Sequence, residues 1–206
     1  MANQSKQEGQ PVAETTTDVK YLPGNPKQYR FNGQVGQFFL GADKAIGTTF
    51  TFQPIAWRIF EENLFARGRK DEWAELFFVD EKNCVASIMF NNTSVGILMK
   101  LITELFYDDL TLMDVVLTVK PEKKENDKGK YFAASFEWKP ADPARTEALQ
   151  QLVDSVPIFR EDTLTTTAVY RLFSPSFYFP DRYNPALGTG PGVAQLPEYT
   201  SQETAE

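Results

Sequence analysis

Apolar and polar residues alternate from residue 46 to 60. Phe50, Phe52, Pro54, Ala56, Arg58 and Phe60 point one way, and Thr51, Gln53, Ile55, Trp57 and Ile59 the other. A period of two marks a pleated strand, because successive Cβ atoms leave opposite faces. The pattern predicts one long bent strand, with Pro54 at a bulge or an edge where its missing N–H breaks no ladder bond. A helix over residues 54–65 competes, since Glu61, Glu62 and Ala66 are poor strand residues. Residues 73–79 and 84–90 read as a second and a third strand across a polar turn, Asp80-Glu-Lys-Asn83. The period then changes. Val95, Leu98, Met99, Ile102, Leu105 and Phe106 recur at helical spacing, which predicts a helix over 93–107 with one apolar stripe. Asn91-Asn92-Thr93-Ser94 ahead of it offers N-cap candidates, and Asp108-Asp109 ends it. Residues 110–119 and 131–138 read as the fourth and fifth strands, joined by a charged loop over 120–130.

The flanks extend this unit. Tyr29-Arg-Phe31 and Val35-Gly-Gln-Phe-Phe-Leu40 predict a hairpin, with Asn32-Gly33 suited to a tight turn at positive φ; an irregular arm is the competing reading. After the fifth strand, Ala144, Ala148, Leu149, Leu152 and Val153 share a face of a second helix over 142–156, and Pro143 suits its first turn. Residues 163–173 alternate as a last strand, and 174–183 are aromatic and interrupted by proline. Residues 1–18 have almost nothing apolar and predict a disordered tail. Residues 184–206, rich in Gly, Pro, Thr and Gln, predict a flexible acidic tail. Between them, 19–183 form a single domain.

The expected fold is mainly β with two helices. Three strands, a helix and two strands is the layout of a five-stranded OB barrel, here with an N-terminal hairpin and a C-terminal extension. In that barrel the loops joining strands 1–2 and 4–5 flank the ligand cleft. Both are basic: Ala66-Arg-Gly-Arg-Lys-Asp71 carries Arg67, Arg69 and Lys70, and the later loop carries Lys120, Lys123, Lys124, Lys128 and Lys130. Arg58 lies on a strand between them. Trp57, Phe60, Trp73, Phe77 and Tyr131 are the candidate rings for stacking bases. Solubilising hairpin tips and core packing are the bland readings of the same residues. Glu122, Glu125 and Asp127 dilute the second loop.

The net charge of −7 and pI near 4.8 argue against nucleic acid when taken alone. Six of the acidic residues sit in the two tails, however, against Lys6 alone, so the region between is nearly balanced. The lone Cys84 allows no internal disulfide, which suits a reducing, cytoplasmic compartment. No signal peptide and no apolar run of about 18 residues is present, so no membrane partner is expected. The absence of histidine removes the usual triads and His-metal sites, and no enzyme activity or cofactor is expected. Asp108, Asp109 and Asp114 are the remaining candidates for a divalent metal, as in a nuclease, with a solvated turn the commoner reading. Gly188-Thr-Gly-Pro-Gly192 has no following Lys-Ser/Thr and is not a phosphate loop.

In strand order and loop charge, residues 46–138 with the acidic tail resemble the OB-fold single-stranded DNA-binding proteins encoded by bacteriophages. No diagnostic motif accompanies the resemblance. It implies a protein that coats single-stranded DNA during replication or recombination in the cytoplasm of a bacterial host. It also implies that the acidic tail recruits replication or recombination proteins, and it allows a homo-oligomer. The hairpin and the extension after Trp138 depart from a minimal OB module and leave open whether the cleft is free or covered. A protein-interaction or virion-associated module, docking through residues 173–183, and a metal-dependent nuclease are the rival classes.

Overall fold

The computed structural model describes residues 19–22, 25–65, 67–155 and 158. They form nine strands and two α-helices in a mainly β architecture. The expected strand over 163–173, both tails and the aromatic segment 173–183 lie outside these residues.

The predicted hairpin forms from β1 (Lys27–Asn32) and β2 (Gln37–Leu40). Its loop is wider than the Asn32-Gly33 turn expected. Residues 33–36 make the reversal, Gln34 N–H donates to Asn32 Oδ1, and the positive φ falls at Gly36. A short β3 (Lys44–Gly47) continues the meander as an exposed edge strand.

The expected strand over 46–60 is divided between two sheets. β4 (Phe50–Phe52) pairs with β8 (Val115–Asn126), while β5 (Pro54–Glu62) pairs with β6 (Asp71–Val79), with a register shift at Pro54/Ala56. The helix rival over 54–65 is not formed. Gln53 holds the corner between the sheets. It is buried, its Nε2 donates to Met113 O at 2.8 Å and Thr146 Oγ1 at 2.9 Å, and its Oε1 accepts from Arg145 Nε at 3.2 Å. β7 (Val85–Asn91) follows β6. Then come α1 (Thr93–Tyr107), a 3-10 turn over Leu112–Asp114, β8, β9 (Gly129–Pro140) and α2 (Pro143–Ser155).

One sheet runs β3-β2-β1-β7-β6-β5, and the other β4-β8-β9. All pairings are antiparallel except β1 with β7. No ladder joins β7 to β9 among the described residues, because β1 already occupies that edge of β7. The open edge of β9 is met by single bonds instead: Phe132 N–H to Gly33 O at 2.7 Å and Ala134 N–H to Ser94 Oγ at 2.9 Å. The core fills the space between the sheets with Phe38, Phe52, Leu76, Phe78, Ile88, Phe90, Leu117 and Val119, closed by Val95, Leu98, Ile102 and Leu105 of α1. Phe106, expected on that stripe, lies outside it and is 52% exposed; Leu101 takes the place on the buried face.

Candidate nucleic-acid interface

Four of the five expected stacking rings are inside the protein. Trp57 and Phe60 on β5, and Trp73 and Phe77 on β6, are 6% exposed or less. The interior position follows from β5 and β6 being buried on both faces. Arg58 is fully buried as well. It stands directly across from Glu75, its Nε donates to Glu75 Oε2 at 2.9 Å and its Nη2 donates to the same oxygen, and the Phe60 and Phe77 rings flank it. These five side chains are structural in their placement and present no surface to a ligand.

The remaining candidates lie on the β5–β6 connection and the β8–β9 ribbon, with Lys120 set back from the ribbon's turn beside the Val119–Phe50 pair. Arg67, Arg69 and Lys70 are exposed in the β5–β6 connection. Arg67 and Arg69 converge on buried Asp71, at 3.2 and 2.9 Å, and the Arg67 guanidinium lies 5.0 Å over the Trp73 ring. Burial pushes the Asp71 pKa up, but the Asn92 side-chain bond and the two arginines outweigh it and hold the carboxylate below its ordinary range. Phe65, absent from the sequence-based candidates, stands beside this cluster. It is 68% exposed, sits at φ 60° and meets Trp73 edge-on at 5.6 Å. Its only sequence signal is an aromatic residue two positions before Arg67 in a polar connection.

The second basic segment is a ribbon, where a loop was expected. β8 and β9 stay paired from Val115↔Pro140 to Asn126↔Gly129, so only residues 127–128 turn. Strand alternation therefore divides the lysines. Lys120 and Lys124 share a face with Tyr131, while Lys123 and Lys130 share the other. Lys120 pairs with Glu137 at 2.7 Å and Lys124 with Glu122 at 2.6 Å; Lys123, Lys128 and Lys130 are exposed with no ion-pair partner among the described residues.

The start of α1 joins the two segments. Asn92, at φ 47°, caps no helix N–H with its side chain. It turns instead to β6, donating to Asp71 Oδ1 at 3.2 Å and accepting from Glu72 N–H. The next residue, Thr93, lies 3.2 Å from the Tyr131 hydroxyl. A continuous polar path thus runs from Arg67 and Arg69 through Asp71, Asn92 and Thr93 to Tyr131, opposite Lys124.

No family model, curated protein or solved structure matches this chain. Among the described residues no group of three acidic, His or Cys side chains could hold a metal, and the Asp114 carboxylate closes a capping box on Thr111. No described helix is long and apolar enough to cross a membrane.

Proposed function

We propose that the protein binds single-stranded DNA without sequence preference, across the end formed by the β5–β6 connection, the start of α1 and the β8–β9 ribbon. One observation carries the reading: the Asp71–Asn92–Thr93–Tyr131 path sets two basic segments, far apart in sequence, beside each other. Single strands are held by cations that follow phosphates and by rings on which bases stack. Arg67, Arg69 and Lys70, with Lys124 on the Tyr131 face of the ribbon and Lys128 at its turn, supply the first. Exposed Phe65 and half-buried Tyr131 supply the second, in place of the interior rings. An OB-like layout supports the same reading: β4/β5, β6, β7, α1, β8 and β9 follow its order, and four of its five ladders are present. A role in coating strands during replication or recombination, with the acidic C-terminal segment recruiting partners, extends this proposal.

Titration of labelled oligo-dT into the protein at rising salt tests it. Binding is expected at low salt and should weaken steeply, since each phosphate contact releases counterions. No binding at low salt, even with residues 184–206 removed, would favour a protein-interaction module. That second reading draws support from the adjacent exposed rings of Phe106 and Tyr107 at the end of α1. Mg²⁺-dependent loss of the oligonucleotide would favour a nuclease.

A further inference from the structure

We infer that a separate groove takes a nucleotide unit, with its phosphate against Lys44, Lys82 and Arg145 and its base against Tyr29 and Phe50. The inference rests on the single-strand reading above and extends it to a second site. The groove has a volume of about 780 Å³ and lies between β1, β3, β4 and the β6–β7 turn. That size is within the usual range for ligand sites, about 300–1,000 Å³. It opens at the Val79 end of β6, whereas the basic tips gather at the Asp71 end. Nine residues of strand separate the two by about 30 Å.

Its charge runs against that of the chain. Lys27, Lys44, Lys82 and Arg145 line it, against Asp80 and Glu81, in a protein of net charge −7. Asp80 is also spent internally. Its carboxylate is buried and accepts bonds from Lys27, the Tyr29 hydroxyl and the Lys82 and Cys84 amides. Lys44 and Lys82 are exposed with no ion-pair partner among the described residues, and Arg145 bonds Gln53 through Nε alone. Three cations therefore face a concave surface with little local anion to satisfy them. The groove also reaches aromatic carbon. Tyr29 and Phe50 line it half-buried, with centroids 5.0 Å apart, and each is packed on its inner side against Phe78. Ammonium and guanidinium groups beside partly exposed aromatic rings match the two halves of a nucleotide, the anion and the base. Such a unit could be a free nucleotide or part of a strand already held at the tips.

The test uses full-length protein, the charge-reversed pair Lys44→Glu with Lys82→Glu, and the milder Arg145→Gln. The probes are dTMP and a 30-nucleotide oligo-dT, read by calorimetry and by anisotropy. Saturable dTMP binding that the charge-reversed pair abolishes supports the site with a free nucleotide as its ligand. No dTMP binding, but at least a tenfold loss of oligo-dT affinity in the pair and a salt slope lower by about 1.4 for two lost phosphate contacts, supports the site with the strand as its ligand. Arg145→Gln should give a smaller loss of the same kind. If groove variants bind both probes as the parent does, while neutralising Arg67, Arg69 and Lys70 weakens oligo-dT, the groove inference is overturned and the tip reading stands. If the parent binds neither probe, both are overturned. Binding of a glutamate-rich peptide, with both nucleotide probes unaffected by the variants, also overturns the inference in favour of an acidic protein partner.

Discussion

Arg58 and Glu75 show how a charged residue can be misread as a surface one. In the alternating stretch Arg58 shares its face with Phe52, Ala56 and Phe60, and its direct cross-strand neighbour is a carboxylate with which it is sealed between two phenylalanine rings. That pairing depends on strand register, which no single segment of sequence reveals. A buried ion pair is costly to break on one side, because the survivor is left charged and desolvated. Glu75→Ala is therefore expected to destabilise the protein by about 3–5 kcal/mol, whereas Arg58→Met combined with Glu75→Leu should come close to the parent or exceed it. Urea unfolding of the three proteins checks this. Asp80 predicts a pH effect. Burial pushes its pKa up, but hydrogen bonds from Lys27, the Cys84 and Lys82 amides and Tyr29 together draw it below the ordinary value. The unfolded chain then binds the proton more readily, so the contribution is complete above about pH 4 and fades as pH falls through the folded value. The stability gap between the parent and Asp80→Asn should be widest near neutrality and shrink below pH 4. A gap that stays constant down to pH 3 would contradict this assignment.

Elements were legible wherever a local period or a bounded apolar run existed. The 3.6-residue stripe marked α1, alternation marked β5, and short apolar, aromatic-rich runs on either side of a polar turn marked β6 and β7. The outer half of the β8–β9 ribbon was not legible. Lys120, Glu122 and Lys124 face solvent, so no apolar alternation distinguishes strand from loop there, and only Gly129 at φ 113° hints at the tight reversal. Nor could β1 be matched with β7, since parallel pairing leaves no mark on either segment. The β1–β2 loop carries the element-scale prediction. Gly36 has φ 65°, and a Cβ there would come within 2.9 Å of the Phe132 ring. Gly36→Val should cost at least about 1 kcal/mol from the left-handed backbone alone, with the clash added. Faster amide exchange at Phe132 should accompany the loss, because its N–H is held by neighbouring Gly33.

At the scale of the whole molecule, the two basic segments reach one end because β6 and β9 each run to the start of α1. The sequence showed the charges and the order of the elements, but the Asn92 and Thr93 contacts that join them are tertiary. Four of the five rings expected to stack stand on β5 and β6, which are buried on both faces, and this leaves Tyr131 and the unexpected Phe65 outside. Removing the charges of Arg67, Arg69 and Lys70 together should weaken oligonucleotide binding about equally for all base compositions and lower the salt slope by about 2. Unchanged affinity in that triple variant would remove the tip as a phosphate-binding surface. Phe65→Ala should lower affinity by about 1–3 kcal/mol with the slope unaltered, since stacking releases no counterion.

The parallel pairing of β1 with β7 also has a consequence in time. Lys27 aligns with Ala86, so once β1 has left the ribosome about 60 further residues must follow before its outer edge is covered. At usual translation speeds that delay is roughly 3–12 s. Throughout it the nascent hairpin offers an uncapped row of amides and carbonyls to any neighbouring chain. Stalled polypeptides ending before residue 85 should therefore be the ones that trigger-factor-like holdases grip longest.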